Sequence, residues 1–269
     1  MVFINMHLQG HFKITLTPVY VSVVLRCWFV VVVVSSISVT GYSGGGVKIT
    51  CKYKTKYAQN EKSFCRGDQT QRSTCSELIK TETKDKRVDS GRFSLYDDTS
   101  SAVLKVTIRD LNEEDSGTYY CTFGKTRGKD SYTEVNLKVI RDDCCEKSIS
   151  LSAAAGGSVN ISCKYPQSHI NDVKFLCWRS GDDLCAEESS VTKKSKWINK
   201  GKIKLFDDRE KQLLSGSISH VTEQHSEYWC GVQSDQGHKS FITRVTDEDD
   251  DTDDDEGLRI GDEDNEDNR

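Results

Sequence analysis

The run Asp115-Ser116-Gly117-Thr118-Tyr119-Tyr120-Cys121 decides the reading of this chain, because its ending recurs as Ser226-Glu227-Tyr228-Trp229-Cys230. Working outward from the two endings exposes a repeat. Gly44–Tyr53 (GGGVKITCKY) matches Gly156–Tyr165 (GGSVNISCKY), and Ser90–Asp98 (SGRFSLYDD) matches Asn199–Asp208 (NKGKIKLFDD). Cysteines follow the same frame. Cys51, Cys65, Cys75 and Cys121 are spaced 14, 10 and 46 apart; Cys163, Cys177, Cys185 and Cys230 are spaced 14, 8 and 45 apart. Self-similarity at about 110 residues is too long for a solenoid unit and means two copies of one domain.

Each copy reads as strands by period-two alternation. Val47, Ile49 and Cys51 face one way, with Lys48 and Thr50 the other; Leu104, Val106 and Ile108 alternate with Lys105 and Thr107. Phe93/Leu95, Tyr119/Cys121/Phe123 and Val135/Leu137/Val139 supply further half-apolar strands. The second copy gives Val159/Ile161/Cys163, Ile203/Leu205, Leu214/Gly216/Ile218 and Tyr228/Cys230/Val232. Many short strands without a sustained helical period make the class all-β, and two half-buried sheets face to face bury such surfaces best. On that reading Cys51–Cys121 and Cys163–Cys230 bridge opposing sheets, each closing a loop worth about 4 kcal/mol in the chain-entropy picture. Tyr119 and Tyr228 stand two residues before the second cysteine, the tyrosine-corner position of a sandwich.

A further pair, Cys65 and Cys75, with Cys177 and Cys185 in the second copy, adds a bridge beside strand C. With Tyr42-Ser43-Gly44-Gly45, Cys51-Lys52-Tyr53, Cys163-Lys164-Tyr165, Lys62-Ser63-Phe64-Cys65 and Lys174-Phe175-Leu176-Cys177, the chain resembles the polymeric immunoglobulin receptor and related leukocyte mono-immunoglobulin-like receptors. The resemblance spans about residues 42–246 and implies two tandem immunoglobulin V-type β-sandwiches, each with an extra disulfide. It also implies an ion pair, Arg92 with Asp115, closing the bottom of the first sandwich. The second copy departs: no acid stands at the Asp115 position, Lys202 replaces the arginine, and Phe64 and Leu176 hold the strand C position where the family has tryptophan. The second sandwich is therefore expected to be the less stable.

The ends differ from the body. Residues 1–40 contain no acid, and Cys27–Val34 (CWFVVVVV) is followed by small polar residues, as in a signal peptide. Residues 247–269 hold 14 Asp and Glu against two Arg, so the rest of a chain of net charge −5 carries +7. The expected organisation is a signal peptide over 1–41, a V-type domain over 42–141, a linker over 142–147, a second domain over 148–246 and an acidic disordered tail over 247–269. Eleven cysteines and the leader imply the secretory pathway; the resemblance implies the plasma membrane, while the chain as it stands reads as secreted. For Cys144 and Cys145 in the linker, pairing with another chain, a vicinal bridge and free thiols all stay open.

No catalytic motif occurs, no Cys-x2-Cys pair occurs and the histidines are scattered, so no enzyme, metal or cofactor is expected. Extracellular placement and dispersed basic residues argue against nucleic acid. Candidate ligand contacts are Lys54, Lys56 and Tyr57 after strand B, with Lys125, Arg127 and Lys129 after strand F, since these loops share one end of a V-type sandwich. Asn160-Ile161-Ser162 is an N-glycosylation sequon whose Asn160 points outward by alternation. The expected function is an immune receptor ectodomain binding a protein, immunoglobulin among the candidates, or an anionic lipid headgroup. The alternative is a secreted decoy or adhesion module without signalling.

Overall fold

Alternating apolar residues become strands throughout the computed structural model, which describes residues 36–67, 75–81, 83–124, 132–141, 143–152, 156–181, 183–192, 196–221 and 227–247. The first sandwich comprises β1 (Ser36–Tyr42), β2 (Gly46–Lys52), β3 (Ser63–Gly67), β4 (Cys75–Lys80), β5 (Arg87–Ser90), β6 (Phe93–Asp98), β7 (Val103–Ile108), β8 (Gly117–Thr122) and β9 (Tyr132–Ile140). The second comprises β10 (Ser148–Leu151), β11 (Ser158–Lys164), β12 (Val173–Ser180), β13 (Asp183–Val191), β14 (Ile198–Lys200), β15 (Ile203–Asp208), β16 (Leu213–Ser219), β17 (Glu227–Gln233) and β18 (Lys239–Asp247). The expected all-β pair of sandwiches is what forms.

In the first sandwich the sheet β1-β9-β8-β3-β4 packs on β2-β7-β6-β5. In the second, β13-β12-β17-β18, with β10 on β18, packs on β11-β16-β15-β14. The inward rows are the predicted ones: Val47, Ile49, Leu104, Val106, Tyr119 and Val135 are buried in one core, and Ile161, Leu205, Leu214, Ile218 and Tyr228 in the other. Phe64 and Leu176 are fully buried at the strand C position, and Phe64 stacks on Tyr119 with centroids 5.2 Å apart. Strand β1 begins at Ser36 and pairs in parallel with β9, and Ile37 and Val39 enter the core. Residues 36–41, expected to end a leader, are thus part of the first sandwich. The rest of the expected leader, Cys27 included, and residues 248–269 of the expected tail lie outside the described residues, whereas Asp247 ends β18.

The cysteines sort unevenly. Cys51–Cys121 and Cys163–Cys230 join opposing sheets, Cys65–Cys75 joins β3 to β4, and Cys144 is bonded to Cys145. That vicinal bond leaves neither linker cysteine for a bridge to another chain. Cys177 and Cys185 are both free thiols, so the extra disulfide expected in the second sandwich is not formed. Cys177 lies opposite Glu188, and Cys185 stands three residues before Glu188 on β13, so the two thiols are neighbours. The Cys177 thiol donates to the Leu184 carbonyl at 3.5 Å, and the Cys185 thiol to Glu188 Oε2 at 3.5 Å. Burial, reinforced by the neighbouring Cys185 thiol, pushes the Cys177 thiol well above its ordinary range.

The two sandwiches share a sheet. Phe241, Ser240 and Lys239 of β18 pair with Gly46, Val47 and Lys48 of β2. Gly45 permits this approach, since a β-carbon there would collide with the Phe241 carbonyl oxygen. Around the junction Phe175, Leu184, Trp229 and Phe241 form a small apolar cluster. Tyr42, at the end of β1, is buried in the second core, and its hydroxyl meets His169 Nε2 at 2.6 Å.

Candidate functional site

Four features hold the loop end of the first sandwich in place. A short 3-10 turn, Thr55–Tyr57, follows β2. Lys54 and Lys56 are exposed on it, whereas the Tyr57 ring is buried beside Phe123, 6.5 Å between centroids, with Lys56 Nζ 4.8 Å from its centroid. Tyr57 is therefore a core anchor under the turn, not a surface aromatic. Beneath the loop sits a fully buried Lys62. Its ammonium donates to the carbonyl of Asn60 at 2.8 Å and to Asp97 Oδ2 at 2.8 Å, and Asp97 Oδ1 accepts the Tyr53 hydroxyl at 2.6 Å. Burial and the hydrogen bond to Asp97 push the Tyr53 hydroxyl far above its usual range. A charge in low dielectric is tolerated only when paired and fully hydrogen-bonded, and this cation uses its extra donors to pin the loop.

Lys84 joins the same end by donating to Gln59 Oε1. Exposed carboxylates are present too. Asp98 is held down at about 2 by hydrogen bonds from Ser100, Lys105 and Ser101, and Asp85 below its usual value by the Thr99 amide and hydroxyl. Lys125, Arg127 and Lys129 fall outside the described residues. The surface is thus defined by Lys54, Lys56 and Lys84, with Glu61 exposed nearby.

At the opposite end Arg92 donates to both Asp115 oxygens at 2.7 Å, and the Tyr119 hydroxyl donates to the Asp115 carbonyl at 2.7 Å. Burial alone would raise the Asp115 carboxyl. The hydrogen bonds from Arg92 and the Asn112 amide outweigh it and hold the group below its ordinary range. In the second sandwich Lys202 Nζ donates instead to the His220 carbonyl at 3.3 Å, and Tyr228 is pushed up by burial to about 12.

Two elements escaped sequence reading. The Tyr53–Asp97–Lys62 network repeats as Tyr165–Asp207–Lys174, with the Tyr165 hydroxyl 2.6 Å from Asp207 Oδ1 and Lys174 Nζ 3.5 Å from Oδ2. Both sets sit inside motifs already matched between copies, but a lysine beside an apolar strand reads as exposed until its partner is placed. The other is His238, buried at the junction, whose Nδ1 accepts the Thr50 amide at 3.1 Å. Among the described residues no cluster of metal-ligating side chains occurs, and no helix is long and apolar enough to cross a membrane.

Residues 34–140 match the immunoglobulin V-set domain. A second sandwich of the same build follows it in the chain, which is thereby similar to the receptor-like ectodomains of the immunoglobulin superfamily. Its similarity runs to the polymeric immunoglobulin receptor: 28% identity over 212 residues to the Rattus norvegicus protein, covering 74% of this chain and 25% of the relative. The Homo sapiens receptor is 28% identical over 205 residues, again covering 74% and 25%. CMRF35-like molecule 2 of Mus musculus is 34% identical over 84 residues, covering 31% of this chain and 42% of the relative. A teleost fish polymeric Ig receptor ectodomain covers 79% of this chain and 96% of its own at 24% identity, with a TM-score of 0.35. The chain spans about a quarter of the length of the polymeric immunoglobulin receptors it matches. These relatives are immunoglobulin-domain receptors, not enzymes.

Proposed function

We propose that the chain is the ligand-binding part of an immune receptor, taking a polymeric immunoglobulin through the loop end of the first sandwich. One observation carries the reading: the second sandwich has its equivalent surfaces occupied. Its β18 edge is paired to β2, and its 234–238 loop is fastened by Thr50, which also donates from its hydroxyl to the Gly237 carbonyl at 3.3 Å. The first sandwich exposes Lys54, Lys56 and Lys84 to solvent at a loop end braced from below by Lys62. Basic, rim-like contacts of this kind speed encounter with an acidic partner and weaken with salt. Lys125, Arg127 and Lys129, outside the described residues, stay candidate contacts by sequence alone. An anionic lipid headgroup is the second ligand chemistry the lysines suit, and delivery as a secreted decoy or as a plasma-membrane receptor fits the same surface.

The test is surface plasmon resonance of the full secreted chain on polymeric immunoglobulin, with phosphatidylserine vesicles in parallel. We expect the Lys54→Ala/Lys56→Ala/Lys84→Ala triple variant to lose about tenfold or more in affinity, mostly in association rate. Unchanged binding by that variant, with Arg92, Asp115 and the fold intact, would overturn the assignment. Binding to vesicles alone would replace the protein ligand with lipid.

A further inference from the structure

The outward face of β11-β16-β15-β14 is built differently from its counterpart in the first sandwich. Matching the copies position by position, Lys48 becomes Asn160, Thr50 becomes Ser162, Lys105 becomes Ser215, Thr107 becomes Ser217 and Arg109 becomes Ser219. In the first sandwich that face meets the second sandwich at Thr50 and Lys48. In the second it is a floor of short hydroxyl side chains with Asn160 exposed within it. One cross-strand row runs Asn160–Ser217–Lys204, and the next runs Ser162–Ser215–Phe206. At the end of that row Phe206 stacks on Trp197, centroids 5.4 Å apart at 28°, and Trp197 is 55% exposed. Strand spacing puts Phe206 about 12 Å from Asn160, across serines alone.

We propose that this face is the seat of the chain's own N-glycan: Asn160 is glycosylated, and the first N-acetylglucosamine rings lie across Ser217 and Ser215 onto the Trp197–Phe206 pair. The chemistry suits the surface. A pyranose ring offers a face of C–H groups that packs on an aromatic ring, and its hydroxyl and acetamide groups find serine hydroxyls at the floor. A long side chain at Ser215, like that of Lys105, would obstruct that path. The aromatic pair otherwise leaves Trp197 exposed on a sheet whose other outward residues, Leu213 apart, are polar. The shelf rests on Asn160 being occupied, which the sequon and its exposure support.

The full chain secreted from eukaryotic cells tests both parts. Glycopeptide mass spectrometry should find hexosamine on Asn160; an unmodified Asn160 peptide would overturn the proposal outright. Thermal unfolding of wild type and Trp197→Ala is then compared before and after enzymatic trimming of the glycan. Trimming should lower the wild-type Tm by about 2–4 °C and leave Trp197→Ala nearly unmoved. It should also shift Trp197 emission to longer wavelength. Equal Tm losses in both proteins with Asn160 occupied would sink the shelf while sparing the glycosylation. Dimerisation of the trimmed wild type, abolished by Trp197→Ala, would overturn the shelf by making a second copy the occupant.

Discussion

Lys62 and Lys174 occupy matching positions, yet their carboxylate partners are not equally supported. Asp97 has Lys62 at 2.8 Å and Tyr53, whereas Asp207 has Lys174 at 3.5 Å, Tyr165 and also Arg209 at 2.9 Å. Burial lowers the Lys174 ammonium from its ordinary value despite the attraction of Asp207. Removing Lys62 leaves Asp97 buried with a hydroxyl as its remaining named partner. We expect Lys62→Ala to cost about 3–5 kcal/mol and Lys174→Ala about 2 kcal/mol, because Arg209 remains. Urea unfolding of the two variants checks the ordering; equal losses would show that Arg209 does not compensate. Sequence reading placed these residues in strands but not in a network, since pairing across 35 residues depends on sheet packing that local periodicity does not encode. It did place Arg92 opposite Asp115, because that pair belongs to a recurrent motif.

At the scale of elements, alternation located most strands and their inward faces, and the repeat carried the first copy's reading to the second. It did not show β1 starting at Ser36, because the small polar residues after Cys27–Val34 read as the exit of a signal peptide. Nor did cysteine spacing show that Cys177 and Cys185 stand as thiols where Cys65 and Cys75 are bonded. The junction of β2 with β18 was equally invisible: nothing in the glycines at 45 and 46 marks an approach site for another strand. His238 makes that junction sensitive to acid. Burial holds its pKa below the ordinary 6.5, and the Thr50 amide needs an unprotonated Nδ1. Gln236 Oε1, 3.2 Å from Nε2, faces the other ring nitrogen; Lys239 is neutralised by Glu188 and its own pKa is raised. A folded pKa below the separated value means the contribution is full above pH 6.5 and is lost as pH falls through the folded value. The protection factor of the Thr50 amide, its intrinsic rate over its observed rate, should therefore fall from pH 7 to pH 5. His238→Gln should flatten that dependence; a variant with the same pH profile would remove His238 from the account.

For the whole molecule, two copies of one sandwich have been put to different uses. The first keeps the Arg92–Asp115 closure and a loop end that exposes Lys54, Lys56 and Lys84. The second gives its β18 edge and the 234–238 loop to the junction, and its serine face is the one proposed above to carry a glycan. Hydrogen–deuterium exchange of the full glycosylated chain, free and saturated with polymeric immunoglobulin, tests this division most directly. We expect protection at 54–61 and 83–86, none across Ser215–Ser219, and an unchanged junction at Thr50 and Phe241. Protection centred on the second sandwich, with 54–61 unaltered, would contradict the account.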